Sequence, residues 1–194
     1  MTTDWYREVL QRLPDGARVL DVGIGTGAAL ARSAALVEEK RLEIVGLDID
    51  ADYLDRCRRN VAEAGLTDRV HPVLASVYDH TGGPYDAVYF SASLMLLPDP
   101  VAAIRHVGTL LAPGGRVFAT QTFNHRRSKF VEWAKPVLRH LTTIEFGQVT
   151  YEPEFRAAFA EAGAELLELS IINGSRLFSH RLAVAVPGAA PRAA

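Results

Sequence analysis

The sequence contains one cysteine, Cys57, in 194 residues, so an intramolecular disulfide and a cysteine-rich zinc site are both excluded. It also lacks a surplus of either charge. Its 21 basic and 23 acidic residues leave a formal charge of −2, which builds no general field for a polyanion and argues against a nucleic-acid partner. No run of about 18 uncharged apolar residues occurs, and the opening MTTDWYREVLQRL is charged throughout. Neither a membrane span nor a secretory leader is therefore expected. Internal repeats and low-complexity blocks are missing, and no close cluster of acids and histidines suggests a metal site. These absences point to a cytoplasmic globular protein that works on small molecules.

What is present is average for such a protein: 48% hydrophobic and 23% charged residues. A chain of this length buries about 70% of its unfolded surface, so one domain over residues 1–187 is expected, followed by a disordered tail, 188–194. Trp5, Val9, Leu10 and Leu13 recur at helical spacing and stop at Pro14-Asp15-Gly16. Strand-like runs at 19–22, 43–47, 70–74, 85–90 and 117–122 then alternate with helical ones at 28–39, 53–64 and about 100–111. That rhythm predicts βαβ units and a parallel sheet.

Asp50 is placed to cap the helix 53–64, whose Leu54, Cys57 and Val61 share one face before Gly65 ends it. Cys57 thus reads as packing. A later helix has Thr150 or Tyr151 at its cap, Pro153 in its first turn, Phe155, Ala158, Phe159 and Ala162 inward, and Gly163 at its close. Runs 166–172 and 177–186 flank NGSR, where Asn173-Gly174 predicts a hairpin. The fold class expected is α/β, a doubly wound seven-stranded sheet, mostly parallel with a C-terminal antiparallel hairpin. Residues 123–150 break the rhythm as a lid-like insertion, where Phe130, Trp133, Val137 and Leu141 suggest a helix that Pro136 kinks.

The chemistry centres on VLDVGIGTGAAL, residues 19–30, where a strand enters Gly23, Gly25 and Gly27 and continues as a helix. Such a turn brings bare backbone N–H groups against a nucleotide-like ligand. Gly23-x-Gly25-x-x-Ala28 also satisfies the dinucleotide fingerprint, so the glycines alone leave the ligand open. The terminal hairpin departs from a dinucleotide dehydrogenase sheet, which stays parallel to its last strand.

Four motifs in order, VLDVGIGTG, IVGLDID, YDAVYFSASLMLLPDP and LLAPGGRVFAT, cover roughly residues 17–120. In them the chain resembles the class I S-adenosylmethionine-dependent methyltransferases, particularly the small-molecule type. The resemblance implies S-adenosyl-L-methionine as cofactor, with Asp21 meeting its amino group directly or through water, and Gly23, Gly25 and Gly27 allowing its close approach. It further implies Asp48 on the ribose hydroxyls and Ile49 on the adenine. Ser76 stands where the family often carries an acid for the adenine amino group, a weaker acceptor, with the Val77 N–H beside it. The Ser91 carbonyl would meet the methionyl amino group, and Ser93 and Met95 would face the transfer point or its rim. The Asn/Asp-Pro-Pro-Tyr/Phe motif of related amide and base methylating enzymes is replaced by SASL, which disfavours DNA bases and protein glutamine as acceptors.

The acceptor is expected above the fourth and fifth strands. The N-terminal helix with Trp5 and Tyr6 would cover it, together with the insertion carrying Phe123, His125, Phe130, Trp133 and Phe146. His125, directly after the fifth strand, is the candidate base toward a hydroxyl, while His180, which alternates within the last strand, reads either as an ordinary surface histidine or as part of the site. Arg126, with Arg127 and Lys129, is either a solvated face or a holder of an anionic group on the acceptor. The reading is therefore methyl transfer to the oxygen or nitrogen of a small organic acceptor, releasing S-adenosylhomocysteine, with a homodimer as an option for assembly. An RNA or protein methyltransferase, a non-catalytic cofactor-binding subunit and a dinucleotide oxidoreductase stand as alternatives.

Overall fold

Val88, Tyr89 and Phe90 follow one another without a polar residue between them, and all three are buried. A strand apolar on both faces needs cover on both. The structure, a computed structural model that describes residues 2–124 and 150–188, has that cover. Its strands are β1 (Arg18–Val22), β2 (Glu43–Asp48), β3 (Val70–Leu74), β4 (Tyr85–Ser91), β5 (Leu111–Asn124), β6 (Glu165–Gly174) and β7 (Phe178–Val186). Its helices are α1 (Thr2–Leu10), α2 (Ala28–Ala31), α3 (Ala34–Glu39), α4 (Ala51–Glu63), α5 (Pro100–Thr109) and α6 (Glu152–Glu161).

The seven strands form one sheet in the order β3-β2-β1-β4-β5-β7-β6. The first five are parallel, and β7 runs antiparallel to both β5 and β6, as the sequence predicts. Chain order runs outward from β1 in one direction and from β4 in the other. The connections leaving their carboxyl ends therefore diverge, and a crevice opens there. On one face Val19, Ile44, Ala87, Tyr89 and Phe118 pack with Val9, Val37, Leu54 and Val61. On the other, Leu20, Val22, Phe90 and Val117 pack with Ile104, Val107, Phe155 and Phe159. The result is three layers with the sheet in the middle.

Local signals hold in several places. The Asp50 side chain accepts the Tyr53 N–H at 3.0 Å and starts α4, and Gly65, at φ 72°, follows its end. Cys57 is buried in the core. Tyr151 occupies the N-cap of α6, without a side-chain cap bond.

Three expectations are corrected. The strand expected over 117–122 is longer, Leu111–Asn124, and takes Phe123, expected on the insertion, into the sheet, where it is buried. The helix predicted over 28–39 is two helices, broken where the Ser33 N–H turns back to the Leu30 carbonyl, three residues behind, at 2.7 Å. Helix α2 packs against both α1 and α4 whereas α3 packs against α1, and the turn gives each its own axis. The hairpin exists, but Asn173 and Gly174 belong to β6, paired with His180 and Ser179. The connection is Ser175–Leu177, closed by the Ser175 N–H on the Phe178 carbonyl at 2.7 Å. Gly174 serves the approach of the strands, since a Cβ there would lie 2.7 Å from the Phe178 oxygen.

At the carboxyl end of β5 the Asn124 N–H donates to the Thr150 carbonyl at 3.0 Å. Asn124 and Thr150, on either side of the residues not described, thus meet at the end of β5. His125, Arg126, Arg127, Lys129, Phe130, Trp133, Pro136, Val137, Leu141 and Phe146, each given a place in the expectations from sequence, lie outside the described residues, as does the tail from 189.

Candidate active site

The glycine turn leaves β1 at the crevice, and its three glycines do different things. All have positive φ, 78° at Gly23, 58° at Gly25 and 63° at Gly27, a region costly for other residues. A Cβ on Gly23 would lie 2.7 Å from the Cβ of Ser93, and one on Gly27 would lie 2.6 Å from the Cys57 sulfur. On Gly25 it would meet nothing within 4 Å. Gly23 and Gly27 therefore admit neighbouring side chains, and only Gly25 faces open space. The turn is fixed from behind: the N–H groups of Gly23 and Ile24 both donate to the Leu47 carbonyl, at 2.8 and 3.0 Å. The Asn60 amide holds the Thr26 carbonyl at 2.8 Å.

Asp48 ends β2 beside this turn, half-buried. One of its oxygens accepts the Gly25 N–H at 2.9 Å and the other the Asp50 N–H at 3.0 Å. Each oxygen keeps a lone pair for a further donor. Ile49, next in the chain, is 79% exposed. Leu74, directly across from Asp48 in the β2–β3 register, and Tyr53 are exposed too. Exposed apolar residues next to this acid in the chain and across the strand register suit a polyol attached to a flat apolar ring. Leu74 and Tyr53 were not singled out by sequence; the signal available was an apolar residue at the carboxyl end of an edge strand.

Ser76 spends its hydroxyl locally, accepting the Tyr78 N–H at 3.3 Å, and the Val77 side chain is buried in the core. The Tyr78 hydroxyl ties this loop to Asp99, at the start of α5, through bonds of 2.9 Å to its carbonyl and from its N–H. Across the crevice, β4 ends at half-buried Ser91. The next residue, Ala92, has φ 59°, a strained conformation without glycine, held by its N–H on the Thr120 carbonyl at 2.9 Å. Ser93 donates its hydroxyl to the Val22 carbonyl, and Met95 packs at the edge of the core. Gly25, Asp48, Ser91 and Ser93 thus share the carboxyl ends of β1, β2 and β4.

Asp21 lies on β1 just ahead of the turn, 1% exposed. The Tyr6 hydroxyl donates to its Oδ2 at 2.6 Å, while its Oδ1, also buried, has no protein partner among the described residues. Burial pushes its carboxyl up to about 7, reinforced by the Asp48 charge and opposed by the Tyr6 hydrogen bond. A buried carboxylate oxygen without a donor is costly, and a cationic donor relieves it best. Two acids flanking the turn suit a cation and oppose a pyrophosphate.

Tyr6 is placed in the core rather than at an open pocket wall. Its ring meets Tyr89 edge-on, 5.1 Å between centroids, and the Tyr89 hydroxyl shares a 2.8 Å bond with Thr120. Further along β5, Thr122 bonds the Nδ1 of buried His180 at 2.9 Å, and Trp5 lies 5.2 Å from that ring. Burial holds the His180 imidazole below its usual range, and so neutral. A polar row therefore crosses the sheet beneath α1, which sequence did not assemble. Among the described residues there is no group of three or more His, Cys, Asp or Glu side chains able to hold a metal, and no helix long and apolar enough to cross a membrane.

A doubly wound sheet with an inverted last strand, a glycine turn open only at Gly25 and an acid at the end of each of its first two strands define a class I, Rossmann-like methyltransferase domain. The chain belongs to the methyltransferase-domain family, whose pattern it matches over residues 2–169. It is 36% identical over 104 residues to a ubiquinone biosynthesis O-methyltransferase of Pectobacterium atrosepticum, covering 53% of this chain and 42% of that one. The chain thus spans less than half the length of that relative. Among solved structures, the [4+2]-cyclase SpnF superposes with a TM-score of 0.76 at 17% identity, covering 96% of this chain and 82% of that one. A SAM-dependent methyltransferase from Geobacter sulfurreducens, in complex with S-adenosyl-L-homocysteine, superposes with a TM-score of 0.70 at 14% identity, covering 95% and 90%. At such identities the likeness concerns the fold.

Proposed function

We propose that the protein transfers a methyl group from S-adenosyl-L-methionine to an oxygen or nitrogen of a small organic acceptor and releases S-adenosyl-L-homocysteine. The observation that carries this reading is the buried Asp21 carboxylate, one oxygen of which has no donor among the described residues, set just before the open face of Gly25. Asp21 takes the amino group, the Gly25 backbone lies against the methionyl and ribose parts, Asp48 accepts from the ribose hydroxyls, and Ile49 covers the adenine. The cofactor supplies an electrophilic methyl on a sulfonium. The acceptor atom takes that methyl in line, and its proton passes to a base or to water.

Alignment alone supplies much of the rate in such a displacement, and the protein's task is to hold the acceptor above β4 and β5. Ser93 and Met95 border that space from the β4 end. His125 and Arg126 follow Asn124 directly, so they enter the reading as base and anion holder. The relative named for O-methylation favours oxygen as the acceptor atom. A small acceptor and a cytoplasmic setting fit the charge balance and the single cysteine.

Calorimetry with S-adenosyl-L-homocysteine and with NAD, followed by labelled-methyl transfer to panels of phenols and amines, tests the proposal. Binding of the first ligand alone and label in a small product are expected. Binding of NAD instead would overturn it, as would label appearing only in added RNA or protein.

A further inference from the structure

Tyr6 is the residue through which α1 reaches the cofactor site. Its hydroxyl crosses from α1 to β1 and satisfies Oδ2 of Asp21 at 2.6 Å, with both groups buried. The Tyr6 ring is itself fixed, edge-on to Tyr89 at 5.1 Å, whose hydroxyl bonds Thr120 on β5 at 2.8 Å. With Oδ2 held, the rotation of the carboxylate is set, and Oδ1 is the oxygen left without a donor among the described residues. The titratable groups that act on this pair are Asp48 from β2, Tyr89 from β4 and Cys57 from α4. None is a cation, so nothing in this set competes with an ammonium for Oδ1.

We propose that Tyr6 is a positioning residue for the amino group of the cofactor: it orients Asp21 so that Oδ1 is presented to the ammonium, and thereby couples docking of α1 to cofactor binding. The inference rests on the methyltransferase reading above. It gives the N-terminal helix a part in the donor site. The hydrogen bond favours the ionised carboxylate, opposing burial, so Tyr6 also sets the pH at which Asp21 is ready for its ligand.

Tyr6→Phe tests this, because it keeps the ring on Tyr89 and removes only the hydroxyl. Calorimetry compares S-adenosyl-L-homocysteine with 5′-methylthioadenosine, which lacks the amino acid part. The variant is expected to bind the first about 10- to 100-fold more weakly, the scale of a hydrogen bond to a charged group, and the second unchanged. Wild-type affinity for S-adenosyl-L-homocysteine should rise with pH to a plateau as Asp21 ionises, and in Tyr6→Phe the midpoint should move upward. In an Asp21→Asn background, Tyr6→Phe should cost little more. Equal losses on both ligands, or an unmoved midpoint, would overturn the proposal and leave Tyr6 as packing. If wild-type protein binds neither ligand, the cofactor reading fails and takes this inference with it; if wild type binds and Tyr6→Phe binds equally well, only the inference fails.

Discussion

The Gly25 N–H donates to the Asp48 carboxylate at 2.9 Å, so the open point of the glycine turn and the acid at the end of β2 form one unit. The carboxylate aims the turn and is aimed by it. Changing either residue disturbs the position of the other.

Gly25→Ala and Gly27→Ala should behave differently. Both positions have positive φ, which costs a non-glycine residue roughly 1–2 kcal/mol. At Gly25 the new methyl meets no protein atom within 4 Å, so the fold should tolerate it while affinity for S-adenosyl-L-homocysteine drops. At Gly27 the methyl would meet the Cys57 sulfur at 2.6 Å, adding an overpacking cost of ~1–3 kcal/mol. Adding Cys57→Ala should recover most of that second cost. Chemical denaturation of the three variants checks this, and a Gly27→Ala protein no less stable than Gly25→Ala would refute the packing role.

Asp48→Asn should weaken cofactor binding by about 1.5–3 kcal/mol, the range for a hydrogen bond to a charged group. The amide still accepts through one oxygen but loses the second acceptor. Ligands lacking ribose hydroxyls should therefore lose less on the variant than on wild type. Equal losses would place Asp48 away from the ribose.

Asp21→Asn should trade binding for stability. The folded carboxyl sits at about 7 against an ordinary 3.8, so between those values the folded protein holds a proton that the unfolded chain has released. The stabilising share of this group is fully present below about 4 and is lost as pH rises to 7; above that the ionised carboxylate carries a penalty of up to roughly 4 kcal/mol. The variant removes the penalty. Its melting temperature should exceed that of wild type by a margin that widens from pH 4 to pH 8, while recognition of the amino group is lost. A margin independent of pH would mean that Asp21 is not buried as an acid.

The alternation of strands and helices, the Asp50 cap and the terminal hairpin were legible because each rests on residues within a few positions of one another. What was not legible depends on distant partners. Ser93 stands 70 residues from Gly23 in the chain and Cys57 stands 30 from Gly27, so the sequence pattern could not tell a glycine that admits a side chain from one that admits a ligand. Asp21 was legible as an acid ahead of the turn. Its hydrogen bond to Tyr6 was not, because an aromatic on an amphipathic helix gives no sign of which strand it will reach. The Asn173-Gly174 pair misled for a related reason: the glycine answers the approach of Phe178 and Ser179, a demand made by the partner strand rather than by the turn.

Two histidines compete for the role of base at the carboxyl end of β5. His180 is buried, bonded through Nδ1 to Thr122 at 2.9 Å, and kept neutral by burial below the usual imidazole range. His125 follows Asn124, the last residue of β5. If His125 accepts the proton of a hydroxyl acceptor, His125→Ala should lower turnover ~10²–10⁴-fold with unchanged affinity for S-adenosyl-L-homocysteine. The acid limb of the wild-type profile, centred near an ordinary imidazole value of about 6.5, should disappear with it. If His180 is the base instead, that limb lies lower in wild type, survives His125→Ala and is lost in His180→Ala. Profiles of pH against rate for the three proteins separate these outcomes once an acceptor is in hand. Retention of full turnover and of the same limb by both variants would leave alignment over β4 as the source of the rate.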